Sequence, residues 1–163
     1  IIRERPQIVH FSGHGRSSKP TAVDPNDPFA EPQPGETGGL LLVNPSGDGL
    51  FPAPASALAF MFQGMVEQQG VPLSVVFLNA CYSGEQAEAI ARHIPYVIGT
   101  SDAVLDDAAW VFSKGFYFSL ANQAGNDINE QAVRRAFNAG QMNAVFMGEP
   151  QDRFMLYVNG KLQ

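Results

Sequence analysis

The chain has one cysteine, Cys81, among its 163 residues. A single thiol cannot close an internal disulfide, so nothing here resembles a secreted disulfide scaffold. No apolar run approaches the ~20 residues that span a bilayer, and no signal-peptide pattern is visible. Lys and Arg form no block, and the formal net charge is −6, which argues against a non-specific grip on nucleic acid. There is no G-x-G-x-x-G fingerprint and no G-x-x-x-x-G-K-[ST] loop, so nucleotide binding is a weak alternative. No Cys/His set has zinc spacing, and neither a metal nor a cofactor is expected. The acids Asp24, Asp27, Glu31 and Glu36 share one loop; calcium is one reading of them and a solvated surface the other. No internal repeat or domain boundary is visible, so the chain reads as one domain or part of one. It opens Ile-Ile-Arg without methionine, which reads as a fragment or processed chain. The expected setting is cytoplasmic, away from membranes.

What is present centres on Leu73–Ala91. Leu73–Leu78 is a Val-rich apolar run, the pattern of a strand buried on both faces. Asn79–Gly84 is a polar turn holding the cysteine. Glu85–Ala91 opens a helix, with Ser83 as the expected N-cap. Upstream, Gln7–Ser12 reads as a strand and Gly13-His14-Gly15 as the turn at its end. Arg16–Thr37 is aperiodic and rich in Pro, Asp and Gly. Gly38–Asn44 with Leu50-Phe51 reads as a hairpin. Pro54–Gln69 repeats apolar residues at helical spacing and stops at Gly70. Downstream, a strand is expected over Pro95–Thr100, helices over Asp106–Ala121 and Asp127–Gly140, and a last strand over Phe154–Val158. Strands alternating with helices predict an α/β fold with a mainly parallel sheet and helices on both faces.

Two strand ends carry reactive side chains, His14 and Cys81. Were these strands parallel neighbours, imidazole and thiol would share one edge of the sheet, where ligands of open α/β sheets bind. A thiol beside an imidazole is the minimum for nucleophilic cysteine catalysis. The backbone N–H groups of Gly15 and Cys81 are candidates for an oxyanion hole. The plainer readings stay open: a lone cysteine as a small core residue, and a histidine as a turn residue. His10, inside its strand, and His93, at a helix end, read as structural.

Taken together, IVHFSGHG (Ile8–Gly15), GGLLLVN (Gly38–Asn44), VVFLNACYSGEQAEAIA (Val75–Ala91) and YVIGTSDAVLDDAAWVFSKGFYFSLANQ (Tyr96–Gln123) resemble the CHAT domain. That family is a caspase-like branch of the clan CD cysteine peptidases. The resemblance implies a three-layer α/β/α sandwich, of which residues 1–163 would be the C-terminal part, with N-terminal strands missing. It implies a cysteine endopeptidase cutting protein or peptide substrates in a signalling, defence or cell-death response. His14 and Cys81 take the places of the catalytic dyad, and Gly15 and Cys81 those of the oxyanion donors. An upstream sensor or repeat module is the implied partner. In several relatives an acid two residues before the cysteine binds a basic substrate side chain; here that position is Asn79. Asp102 is a second candidate for the substrate pocket, its other reading being a cap for the Asp106 helix. The competing function is a catalytically silent caspase-like scaffold.

Overall fold

The computed structural model describes residues 3–17, 38–44, 46–47, 49–123 and 128–163. Five strands form the main sheet: β1 (Ile8–Ser12), β5 (Val75–Asn79), β6 (Tyr96–Thr100), β7 (Phe154–Val158) and β8 (Lys161–Leu162), in that spatial order. Strands β1, β5 and β6 run parallel, while β7 and β8 are antiparallel. The sheet is thus mixed rather than mainly parallel. Alternating apolar residues disclose that a strand is buried, but not which way it runs. Asn159 (φ 48) and Gly160 (φ 79) turn the chain back into β8, a two-residue strand too short to read from sequence. A second, three-stranded sheet joins β2 (Gly15–Arg16), β3 (Gly39–Val43) and β4 (Leu50–Pro52). It contains the expected hairpin and the extra strand β2.

The period-2 alternation of β5 sends side chains to two cores. Val76 and Leu78 join Phe62 and Met65 from the first helical segment, and Ala87 and Ile90 from α2 (Gly84–Ile90). That first segment comprises α1 (Ala55–Gln63) and a π-helical turn, Gly64–Gln68. On the other face, Val75 and Phe77 join Phe112 and Phe116 of α3 (Asp106–Ala121) and Val133, Ala136 and Phe137 of α4 (Glu130–Phe146). Helices therefore cover both faces. All five β5 residues are buried, as a central strand with no solvent face requires. Burying each large side chain contributes about 1.5–3 kcal/mol.

Helix α3 spans the expected residues. Asp106 and Asp107 in its first turn complement the helix dipole. Helix α4 starts later than expected, because Asn129 is its N-cap and accepts from the Ala132 N–H at 2.9 Å. Asp127, the acidic loop at 24–36 and most of the Arg16–Thr37 loop lie outside the described residues. Among the described residues no helix is long and apolar enough to cross a membrane.

Candidate active site

The register of two parallel strands brings the candidate dyad together. Ser12 of β1 pairs with Asn79 of β5. His14 and Cys81 each lie two residues beyond that pair. The Gly13 N–H donates to the Asn79 carbonyl at 3.3 Å, so the two strand ends stay joined as they leave the sheet. Gly15 then packs directly on the cysteine. A Cβ built there would collide with the Cys81 carbonyl oxygen and lie 2.8 Å from its carbonyl carbon and 3.2 Å from its nitrogen. Only glycine permits that approach. Gly15 faces Leu40 across β2 and β3, and the Leu41 N–H donates to the His14 carbonyl at 2.9 Å. That bond makes Gly15–Leu40 a non-hydrogen-bonded pair, so the Gly15 N–H points away from β3.

The turn after β5 is held by buried hydroxyls. Ser83 Oγ donates to the Leu78 carbonyl and accepts from the Thr100 N–H, both at 3.0 Å. Thr100 Oγ1 donates to the Ala80 carbonyl at 2.6 Å. Both side chains are fully buried. Ser83 occupies the N-cap position of α2, but its hydroxyl makes no cap bond. It is spent on the β5–β6 connection, which corrects the expected capping role. Tyr82 sits between cysteine and serine at φ 57, a left-handed conformation that a bulky residue adopts only when its surroundings impose it.

The sulfur is half-buried, and its hydrogen bonds run to the loop after β6. The Val104 N–H donates to Sγ at 3.3 Å, and the thiol can donate to the Val104 carbonyl at 3.6 Å. An anionic sulfur can use the first of these bonds but not the second.

The cleft around this sulfur has a volume of about 330 Å³ and is lined by His14, Cys81, Asn79, His10, Asp106 and Trp110, among others. Asn79 is held from behind: its Nδ2 donates to Ser113 Oγ at 2.9 Å and to the Ala109 carbonyl at 3.2 Å. His10 stacks on Phe77 with ring centroids 4.5 Å apart, and its Nδ1 lies 3.0 Å from the Tyr117 hydroxyl. Desolvation lowers the His10 imidazole below its ordinary 6.5. Desolvation also pushes the Tyr117 phenol up to about 12. Both shifts favour the uncharged forms of the two rings. Trp110 stands 63% exposed at the rim with Lys114 Nζ 5.0 Å from its ring centroid.

Asp102 is not among the lining residues, and it does not cap α3, whose N-cap is Leu105. Its carboxylate accepts from the Ala103 N–H at 2.8 Å and pairs with Arg153 at 3.1 Å. The Ala103 bond first, then those from Tyr82 and Arg153, hold it below the usual carboxylate range. Burial and the bond to Asp102 push the Tyr82 phenol up. Arg153 continues to Glu149 at 3.2 Å, and Glu149 accepts from the Leu105 N–H at 2.9 Å. Sequence reasoning missed Val104, Glu149 and Arg153. Val104 acts through its backbone, which leaves no trace in residue type. Gly148-Glu149-Pro150 after a helix was a signal, since a glycine and a proline there mark a fixed turn.

A half-buried thiol, an imidazole in the same cleft and two adjacent backbones at strand ends form a site suited to acyl transfer. The CHAT domain family model matches residues 1–147, and the chain belongs to that caspase-like peptidase family. It is also similar to a Gillisia limnaea protein named "Probable protease", at 29% identity over 91 residues. That alignment takes in 56% of this chain and 15% of the relative, so this chain spans only a small part of that protein's length.

Proposed function

We propose that the chain is the catalytic part of a cysteine endopeptidase working through a Cys81–His14 dyad. His14 removes the thiol proton and Cys81 Sγ attacks the carbonyl carbon of a peptide bond. The resulting oxyanion accepts from the Gly15 and Cys81 N–H groups. Collapse expels the amine, which takes its proton from His14, and leaves a thioester on the sulfur. Water, deprotonated by His14, hydrolyses that thioester and regenerates the thiol. The observation that carries the reading is the contact of Gly15 with the Cys81 backbone, which sets the residue after the histidine directly on the cysteine. Membership of the CHAT family and the likeness to a protein named as a protease support it.

Asn79 and the cleft beside it are the proposed contacts for the substrate side chain. Protein substrates, an upstream sensor or repeat module and a role in signalling, defence or cell death belong to the same proposal. So does the reading of the chain as the C-terminal part of a three-layer CHAT domain. The test is cleavage of a diverse peptide mixture by the whole protein. Products that form with the wild type and vanish in both Cys81→Ala and His14→Ala support the dyad. Products that persist in either variant overturn it.

A second reading, a catalytically silent scaffold, is favoured by one observation: the thiol can donate to the Val104 carbonyl, a bond that an attacking anionic sulfur would have to give up. It expects no Cys81-dependent cleavage under any condition that activates signalling.

A further inference from the structure

We propose that Glu149 is a positioning residue for Cys81, holding the Val104–Leu105 backbone so that the Val104 N–H stays aimed at the sulfur. The inference builds on the peptidase reading, in which an anionic sulfur is the attacking group.

The loop after β6 contributes nothing to the site through its side-chain chemistry at Val104. Its contribution is one N–H, 3.3 Å from Cys81 Sγ. An exposed loop does not hold an amide in place unaided, and Ala103 and Leu105 on either side of Val104 are exposed. The adjacent peptide is fixed from outside the loop. Leu105 donates to Glu149 Oε1 at 2.9 Å, across 44 residues of sequence. Glu149 is itself 7% exposed, and its aim is set by the end of α4. Gly148 turns at φ 94, and the Glu149 N–H returns to the Ala144 carbonyl at 3.1 Å. Its second oxygen is 3.2 Å from Arg153 Nε. The same guanidinium reaches Asp102 Oδ2 at 3.1 Å, and Asp102 receives the Tyr82 N–H on its backbone carbonyl at 3.2 Å. One buried carboxylate and one arginine therefore tie both flanks of the sulfur, the loop at 102–105 and the turn at 81–82, to the chain after α4.

The N–H that Glu149 holds in place can donate to the attacking sulfur as it carries negative charge, which the neighbouring carbonyl cannot do. Losing it slows attack on any electrophile, peptide or not. Reaction with iodoacetamide reads this without requiring peptidase activity, so the inference and the peptidase reading fail separately.

The experiment uses the whole protein, with Cys81→Ala as the blank. In Glu149→Ala, alkylation of Cys81 slows about tenfold, as expected for one hydrogen bond to a charged group. Glu149→Gln keeps an amide oxygen for the Leu105 N–H and restores most of the rate. A folded Glu149→Ala that alkylates at the wild-type rate or faster overturns the inference. So does a Glu149→Gln as slow as Glu149→Ala. Should Glu149→Ala fail to fold, amide hydrogen exchange in the wild type decides: protected Val104 and Leu105 amides are expected, and exchange at free-loop rates refutes the assignment.

Discussion

Adding one methyl group at position 15 tests the packing of the dyad without touching either reactive side chain. Gly15 does not adopt a positive φ, so alanine's backbone preferences are met and the whole effect is steric. The new Cβ would lie 2.8 Å from the Cys81 carbonyl carbon and 3.2 Å from its nitrogen, with the carbonyl oxygen nearer still. Carbon atoms rest at about 3.5–4.0 Å, and the oxygen is the tighter contact, so the two backbones must separate by more than about 1 Å. The obstacle is backbone at the end of a buried central strand, which cannot swing aside as a flexible side chain would. Overpacking of this kind costs about 1–3 kcal/mol. For a domain of this size that lowers Tm by about 3–10 °C. Displacing reacting groups by about 1 Å costs on the order of a hundredfold in rate. Gly15→Ala is therefore expected to melt several degrees lower and to lose nearly all Cys81-dependent peptide cleavage while remaining folded. Differential scanning fluorimetry and a fluorogenic peptide assay read both effects. Gly47→Ala is the control: at φ 80 with nothing within 4 Å of a new Cβ, it costs about 1 kcal/mol of backbone strain and leaves activity intact. A Gly15→Ala protein with wild-type melting and wild-type turnover would refute the packing argument.

Three further outcomes follow from named contacts. Thr100→Val strands the Ala80 carbonyl, which Thr100 Oγ1 serves at 2.6 Å; urea denaturation should show a loss of about 1–3 kcal/mol, and an unchanged midpoint would dismiss the hydroxyl staple. Phe112→Ala removes a fully buried ring stacked 3.8 Å from Phe154 and should cost about 3–5 kcal/mol in the same assay; a loss under 1 kcal/mol would mean the core collapses to fill the space. The folded chain lowers His10 below its ordinary 6.5 through desolvation, so as pH falls the unfolded chain binds that proton first. His10's contribution is complete above pH 6.5 and declines as pH drops below it; His10→Gln should flatten that part of the stability–pH curve, and an unaltered slope would assign it to other groups.

Much of this fold was legible because its signals are periodic. The apolar run at Val75–Leu78 can only be a buried strand, and Ala109, Phe112, Phe116 and Leu120 mark one face of α3, whose limits follow. That His14 and Cys81 would meet at one edge of the sheet was also legible, since each follows a strand and sits in a glycine-containing turn. Direction was not: β7 alternates as a parallel strand would, and only the crossing from α4 reveals that it returns antiparallel to β6. Polar residues were legible as polar but not by partner. Ser83 sits where an N-cap belongs, yet its hydroxyl bonds Leu78 and Thr100. Asp102 follows a strand at the correct edge, yet its carboxylate goes to Ala103 and Arg153. Arg153 and Glu149 lie far along the chain from the cysteine turn. Their role depends on how the chain after α4 returns to β6, which no local pattern encodes.

The proposed dyad requires that His14 activate Cys81 across their shared cleft. The most direct measurement is the rate at which a peptide-based electrophile modifies Cys81, followed by mass spectrometry in wild type and His14→Ala. Modification at Cys81 is expected to slow at least about a hundredfold without the imidazole, the scale of general-base assistance. Modification at the same rate in both proteins would contradict it.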